Sequence, residues 1–173
     1  LQDWAAGLVG HRRLIALSVV FIAVALCSNY YCGGYVSSTS GAKVPDLVLD
    51  HLDPIDLSFL FVYGYTALIV GLFLYPLLFR VRILHVAAIQ FSLLLILRSL
   101  FMVFTHLETP AGSVSVGFPW FFRILYFDND MFFSGHTAIP FLGFYLFKGS
   151  SLRYVFLVGS VVMGIVVLAM HCL

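Results

Sequence analysis

The chain has 173 residues, 62% of them hydrophobic and 10% charged, with a net charge of +1. A soluble domain is nearer 45–50% apolar and ~25% charged, so this composition indicates a polytopic membrane protein, a single transmembrane unit over residues 1–173. Near-neutrality gives a nucleic-acid partner no electrostatic basis, and three cysteines (Cys27, Cys32, Cys172) are too few and scattered for a disulfide framework.

The predicted elements follow from apolar runs of about 20 residues. A first span covers about 14–31, behind Arg12 and Arg13. No small-residue cleavage site follows it cleanly, so it reads as a retained span and not a signal peptide. Residues 33–56 form a polar loop with Pro45, Pro54 and four aspartates, Asp46, Asp50, Asp53 and Asp56. Its acidic side chains are expected to be solvated, with the capacity to attract a cationic headgroup. The second span covers about 57–79 and the third about 83–104, joined by the basic turn 80–82. After the polar stretch 105–130 come a short fourth span, about 131–147, and a fifth, about 152–171, joined by 148–151. Backbone polar groups in lipid must be satisfied within each segment, so these are helices of an all-α membrane bundle. The chain stops inside an apolar run, and a sixth span is expected beyond it.

Basic residues set the expected orientation. Arg12, Arg13, Arg80, Arg82, Lys148 and Arg153 all fall at one set of helix ends, which reads as cytoplasmic and places the N-terminus there. His136 and His171 belong to the opposite side. His171 lies 18 residues beyond Arg153, ~27 Å along a helix, and His136 lies 12 residues from Lys148, ~18 Å. His136 is therefore expected deeper than His171, in the outer half of the bilayer.

Intramembrane ionisable groups are costly and usually functional. Ser134 and Gly135 put His136 in the first turn of a helix, where orphan N–H groups and the positive dipole end favour an anion such as phosphate. The bland alternative is a histidine that bonds a neighbouring helix. His171 suits a nucleophile or base paired with it, since a neutral imidazole attacks phosphorus; the alternative is an interfacial helix-end histidine. Arg98 lies 16 residues from Arg82, ~24 Å up the third span. Its fork suits a phosphate; the alternatives are snorkelling to the interface or a structural pair with Asp130 or Glu108. Asp130 reads as an N-cap, or as a group that orients His136 or holds a choline or ethanolamine cation. Gly64, Gly71, Gly143, Gly159 and Gly164 are expected at close helix contacts. Tyr30, Tyr31, Tyr35, Trp120, Phe121 and Phe122 suit an outer aromatic belt. No compact ligand cluster such as His-Glu-x-x-His occurs, so neither a metal nor another cofactor is expected.

Three motifs carry a family resemblance. Asp130-Met131-Phe132-Phe133-Ser134-Gly135-His136-Thr137 resembles the Gly-Asp-x-x-Phe-Ser-Gly-His-Thr motif of the sphingomyelin synthase family. Pro45-Asp46-Leu47 resembles its Leu-Pro-Asp motif in the first loop. Arg98 through Thr105 resembles its Arg-x-x-x-Met-x-x-Thr motif, followed by Pro110-Ala111-Gly112. The family is a branch of the lipid phosphatase and phosphotransferase superfamily, and its members resemble six-span proteins. The resemblance implies metal-independent transfer of a phospho-headgroup (phosphocholine or phosphoethanolamine) from a glycerophospholipid to ceramide or a similar lipid alcohol. It also implies a histidine nucleophile aided by an aspartate. His136 would protonate the leaving diacylglycerol alkoxide, and Asp46, Arg98, Asp130, Ser134 and Gly135 would serve the phosphate or headgroup. His171 falls where the family has His-x-His-Tyr-Thr-x-Asp. Taken as the first histidine, it leaves Leu173 in the nucleophile's place; taken as the second, it sets the aspartate beyond the chain. The alternatives are a lipid phosphate phosphatase and a non-catalytic lipid-binding scaffold. The Arg-Pro-ended basic motif of the phosphatase branch does not occur here.

Overall fold

The computed structural model describes residues 2–39, 41, 51, 53–105, 107, 114, 116, 127 and 133–171. Five α-helices account for most of them: α1 (Gln2–Ser38), α2 (Tyr65–Phe79), α3 (Leu84–Phe104), α4 (Gly135–Leu146) and α5 (Leu152–Ala169). A π-helical turn, Leu60–Gly64, leads into α2, and a 3-10 turn, Val81–Ile83, leads into α3. Four helical segments are long and apolar enough to cross a membrane: Trp4–Ser38, Leu60–Phe79, Val81–Phe104 and Leu152–Ala169.

Two elements depart from the sequence expectation. The first helix has 37 residues, well past the expected 14–31 at both ends. Hydropathy marks the part that prefers lipid, whereas a helix continues until a breaker stops it, and no proline occurs in α1. The fourth helix has 12 residues, ~18 Å at 1.5 Å per residue, well short of the expected 131–147. It starts at Gly135 because Ser134 is extended, at φ −72 and ψ 105. By itself it is too short to cross the ~30 Å hydrocarbon core. The third and fifth helices, and the second once its leading π turn is counted (Leu60–Phe79), lie within a few residues of their expected bounds.

Close contacts fix the topology. Along α1 and α3, Gly7 meets Val81, His11 stacks on His85 and Asn29 meets Arg98, so these helices run parallel. Between α2 and α5, Gly71 faces Phe156, Leu68 faces Gly159 and Gly64 faces Met163, an antiparallel pair. Between α4 and α5, Gly143 faces Phe156 and Thr137 faces Gly164, again antiparallel. Of the five expected glycines, Gly143, Gly159 and Gly164 stand at tight contacts between helices, whereas Gly71 and Gly64 meet the neighbouring helix at ordinary van der Waals distance. A Cβ on Gly143 would overlap the Phe156 ring, and one on Gly159 would come within 2.8 Å of Leu68.

The main core joins Ala25, Tyr65, Leu72, Phe91, Leu95, Ile139, Phe147, Phe156 and Met163. A second cluster, Phe61, Val62, Val166, Val167 and Met170, caps one end. The outer face stays apolar: Val155, Val158, Val161 and Ile165 on α5 are each about 60% exposed. An apolar exterior of that extent suits lipid, where every backbone group is already bonded within its helix.

The other end of the bundle collects the basic residues. The Trp4 indole N–H donates to the Leu77 carbonyl at 2.7 Å, and an Arg80 guanidinium N–H donates to the Gly149 carbonyl at 3.3 Å. The Arg153 guanidinium lies 4.4 Å over the Phe144 ring. Together with Arg12, Arg13, Arg82 and Lys148, these side chains leave the opposite end to the candidate site.

Candidate functional site

Four helices bring polar side chains to one end: Asn29 on α1, Tyr65 at the start of α2, Arg98 on α3 and the first turn of α4. Arg98 and Asn29 are both buried. The Arg98 guanidinium donates to the Asn29 side-chain oxygen at 2.6 Å and, through Nε, to the Phe133 carbonyl at 3.4 Å. These neutral oxygens hold the fork beside the residue that precedes Ser134.

The start of α4 carries no side-chain cap: Ser134 occupies the N-cap but its side chain makes no capping bond. Its carbonyl accepts from the Ala138 amide at 3.1 Å and from the Thr137 hydroxyl at 3.0 Å. The amides of the first turn have no partner within a helix. Pro140 sits inside α4 and supplies no N–H to the carbonyl four residues back, that of His136. Gly135 abuts both neighbouring helices: a Cβ there would lie 3.3 Å from the Tyr65 hydroxyl oxygen and 3.7 Å from Arg98 Nε. A guanidinium and the positive end of a helix dipole thus share one recess, which favours an anion.

His136 is gripped between two rings. Its imidazole stacks on Phe61 at 3.9 Å and on Tyr65 at 4.0 Å, at interplanar angles of 23° and 29°. Two near-parallel rings that close cannot share one face, so the imidazole is inserted between them. The π turn Leu60–Gly64 contains Phe61 and ends just before Tyr65, and so sets the offset of the two rings; such turns recur at functional sites. His136 Nε2 is inaccessible and has no hydrogen-bond partner. A buried polar atom without a partner needs an explanation, and a substrate oxygen is one.

His171 closes α5 at the same end. It is 3% exposed and adopts φ 56, a left-handed conformation uncommon outside glycine and asparagine. Its amide donates back to the Leu168 carbonyl at 3.1 Å, as at a helix C-terminus closed by a left-handed residue. The last carbonyls of the helix are also satisfied, Ala169 by the Ile55 amide at 2.8 Å and Met170 by the Val114 amide at 3.2 Å.

The two histidines share an end without touching. Phe61 connects them: one face packs on His136, and the ring belongs to the cluster of Val166, Val167 and Met170 that immediately precedes His171. The Ser160 hydroxyl donates to the Thr137 carbonyl at 2.8 Å, and Gly164 faces Thr137. Thr137 is therefore level with Ser160–Gly164. His171 stands seven residues past Gly164, ~10 Å farther along the axis. Along the bundle axis His136 therefore lies inward of His171.

Of the sequence-predicted site residues, Arg98, Ser134, Gly135 and His136 converge, and His171 lies at the same end one cluster away. Asp130 and Asp46 lie outside the described residues, as do Glu108 and the belt residues Trp120, Phe121 and Phe122; Tyr30, Tyr31 and Tyr35 are exposed on α1. Sequence reasoning missed Asn29, Phe61 and Tyr65. Asn29 carried a usable signal, a lone amide in an apolar helix. Phe61 and Tyr65 carried none beyond their four-residue spacing. Among the described residues no group of three or more His, Cys, Asp or Glu side chains is placed to hold a metal ion.

The chain matches no protein-family model, no curated protein and no solved structure.

Proposed function

We propose that the protein is a membrane phosphotransferase of the sphingomyelin synthase type, which moves a phospho-headgroup from a glycerophospholipid to ceramide or a similar lipid alcohol. The observation that carries this reading is the recess at the start of α4, where Arg98, Gly135 and the unpartnered Nε2 of His136 come together. The motif resemblance falls on the same residues.

In the proposed reaction a lipid enters sideways between helices, and its phosphodiester docks against Arg98 and the first-turn amides of α4. An imidazole nitrogen, of His171 or of a histidine just beyond it, attacks phosphorus. The bond from phosphorus to the diacylglycerol oxygen breaks, and protonated His136 gives its proton to that oxygen. His136, now neutral, takes the proton from the acceptor hydroxyl. The acceptor oxygen then displaces the histidine from phosphorus. Donors already aimed at the phosphoryl oxygens stabilise each transition state without reorganisation.

The topology that accompanies this reading has five spans with α4 as a short one, a sixth beyond the chain, the N-terminus and basic end in the cytoplasm, and the site facing the other side. Impermeant thiol labelling of cysteines placed at Lys148 and at Thr39 tests it. Only the second should react from outside sealed cells.

The activity is tested in proteoliposomes with headgroup-labelled phospholipid, with and without ceramide. A labelled sphingolipid formed only with ceramide supports transfer. Free phosphate or free headgroup identifies a phosphatase instead. No turnover of any phospholipid leaves the lipid-binding scaffold.

A further inference from the structure

We propose that Tyr65 is a catalytic residue of this site, its phenolic O–H donating to a non-bridging oxygen of a phosphoryl group held between the start of α4 and Arg98. This inference rests on the phosphotransferase reading and adds to it a donor that neither the motifs nor their spacing identifies.

Three surfaces define the recess. The Tyr65 hydroxyl forms one, 3.3 Å from the point where a Cβ on residue 135 would stand. Arg98 Nε forms the second, 3.7 Å from the same point. The bare Cα of Gly135 forms the third. A glycine at this helix position gives up stability relative to alanine, yet alanine would fill the space between phenol and guanidinium. The missing methyl lets the helix start lie directly against the phenol, whose O–H is the donor there, and beside the guanidinium, whose Nε–H goes to the Phe133 carbonyl.

The phenol is fixed in place. Tyr65 is 7% exposed and belongs to the main core. Its ring is stacked on His136 at 4.0 Å, so the oxygen cannot swing away without breaking that stack. Among the described residues the Tyr65 hydroxyl makes no hydrogen bond, and unlike His136 Nε2 its oxygen is not sealed off, so it is open to a ligand at the helix start. A tetrahedral oxyanion at the helix start would accept from the phenol and from first-turn amides at once, with the guanidinium charge beside it. The same ring that orients His136 would then also hold the phosphoryl oxygen, which sets acid and electrophile in fixed relation.

Orthovanadate and inorganic phosphate are the probes, titrated by calorimetry into the purified protein in detergent and in nanodiscs. Tyr65→Phe removes one oxygen and keeps the stack. It should weaken orthovanadate binding about tenfold or more and lower transfer by about 10² in kcat, the usual effect of losing one oxyanion donor, with little change in KM for lipid. Gly135→Ala plugs the gap from the other wall and should abolish orthovanadate binding; it carries the test if Tyr65→Phe does not fold. Affinity within twofold of wild type in Tyr65→Phe, or in Gly135→Ala, overturns the proposal, and so does wild-type protein that binds neither anion. Tyr65-dependent binding in a protein that transfers no headgroup refutes the transferase reading alone. Transfer with Tyr65-independent binding refutes only the role of the phenol.

Discussion

Asn29 on α1 and Arg98 on α3 are joined by a hydrogen bond of 2.6 Å between two buried side chains. The carboxamide oxygen aims the guanidinium toward the start of α4, where its Nε–H reaches the Phe133 carbonyl. Asn29→Leu removes the acceptor and strands part of a buried cation. It should destabilise the bundle by about 1–3 kcal/mol, the cost of an unsatisfied buried donor, read from reversible unfolding in SDS. Asn29→Asp supplies a carboxylate instead. It should preserve stability and weaken phosphate or vanadate binding, because the positive charge of the recess is then cancelled. Unaltered anion affinity in Asn29→Asp would show that Arg98 does not face the anion.

His136 has two separable roles, packing and proton transfer. His136→Phe keeps a flat ring between Phe61 and Tyr65, so thermal stability should stay close to wild type while transfer disappears. His136→Ala also empties the slot and should cost a further ~3–5 kcal/mol, the range for aromatic truncation in a packed core. Full activity in proteoliposomes for either variant would remove this imidazole from the mechanism.

The left-handed backbone at His171 dictates which substitution isolates its chemistry. Asparagine tolerates φ 56 with little strain, whereas a β-branched residue does not. His171→Asn should therefore keep the fold and lower transfer at least 10²-fold if this imidazole is the nucleophile or its partner. His171→Val should also lower stability. Equal activity in wild type and His171→Asn assigns the nucleophile to another histidine.

Packing at the glycines predicts a graded series. Gly143→Ala pushes a methyl into the Phe156 ring and Gly159→Ala pushes one against Leu68; each should destabilise by about 1–3 kcal/mol, as overpacking does. Gly34→Ala meets nothing within 4 Å and should be neutral or stabilising by about 0.5–1 kcal/mol, through helix propensity alone. Equal effects at all three positions would mean that the helices do not approach closely.

Asp56 supplies a pH dependence outside the spans. Its carboxylate accepts from the Ser58 hydroxyl and, at 2.9 Å, from the Ser58 amide. The hydroxyl bond first and the amide bond second hold its pKa below the ordinary carboxylate value. The folded value is the lower one, so this contribution is complete above the ordinary carboxylate range. It fades as pH falls through that range toward the folded value. Hydrogen exchange at the Ser58 amide should accelerate, relative to its intrinsic rate, between pH 6 and pH 3, and Asp56→Asn should erase that difference.

Some of this was legible before any coordinates. Arg98 and His136 stood out because a charge or an imidazole inside an apolar run demands a partner or a purpose. The Ser134-Gly135-His136 run marked a helix start for the same physical reason that the helix begins there. The convergence of Tyr65 with Gly135 was not legible. It depends on a π turn that shifts the α2 ring positions and on a contact between residues seventy positions apart, which no local pattern encodes.

The amino-acid order by itself determined that this chain is helical and membrane-bound, which segments seek lipid, and that its cations gather at one set of helix ends. Those properties come from hydropathy and charge, each residue contributing nearly independently of distant ones. Only the tertiary structure decided that α4 starts as late as Gly135, that His136 is clasped by Phe61 and Tyr65, that Asn29 holds Arg98, and that Gly135 lies against the Tyr65 phenol. Those depend on how closely particular helices approach, and close approach is a property of pairs of surfaces, fixed only when the whole bundle packs.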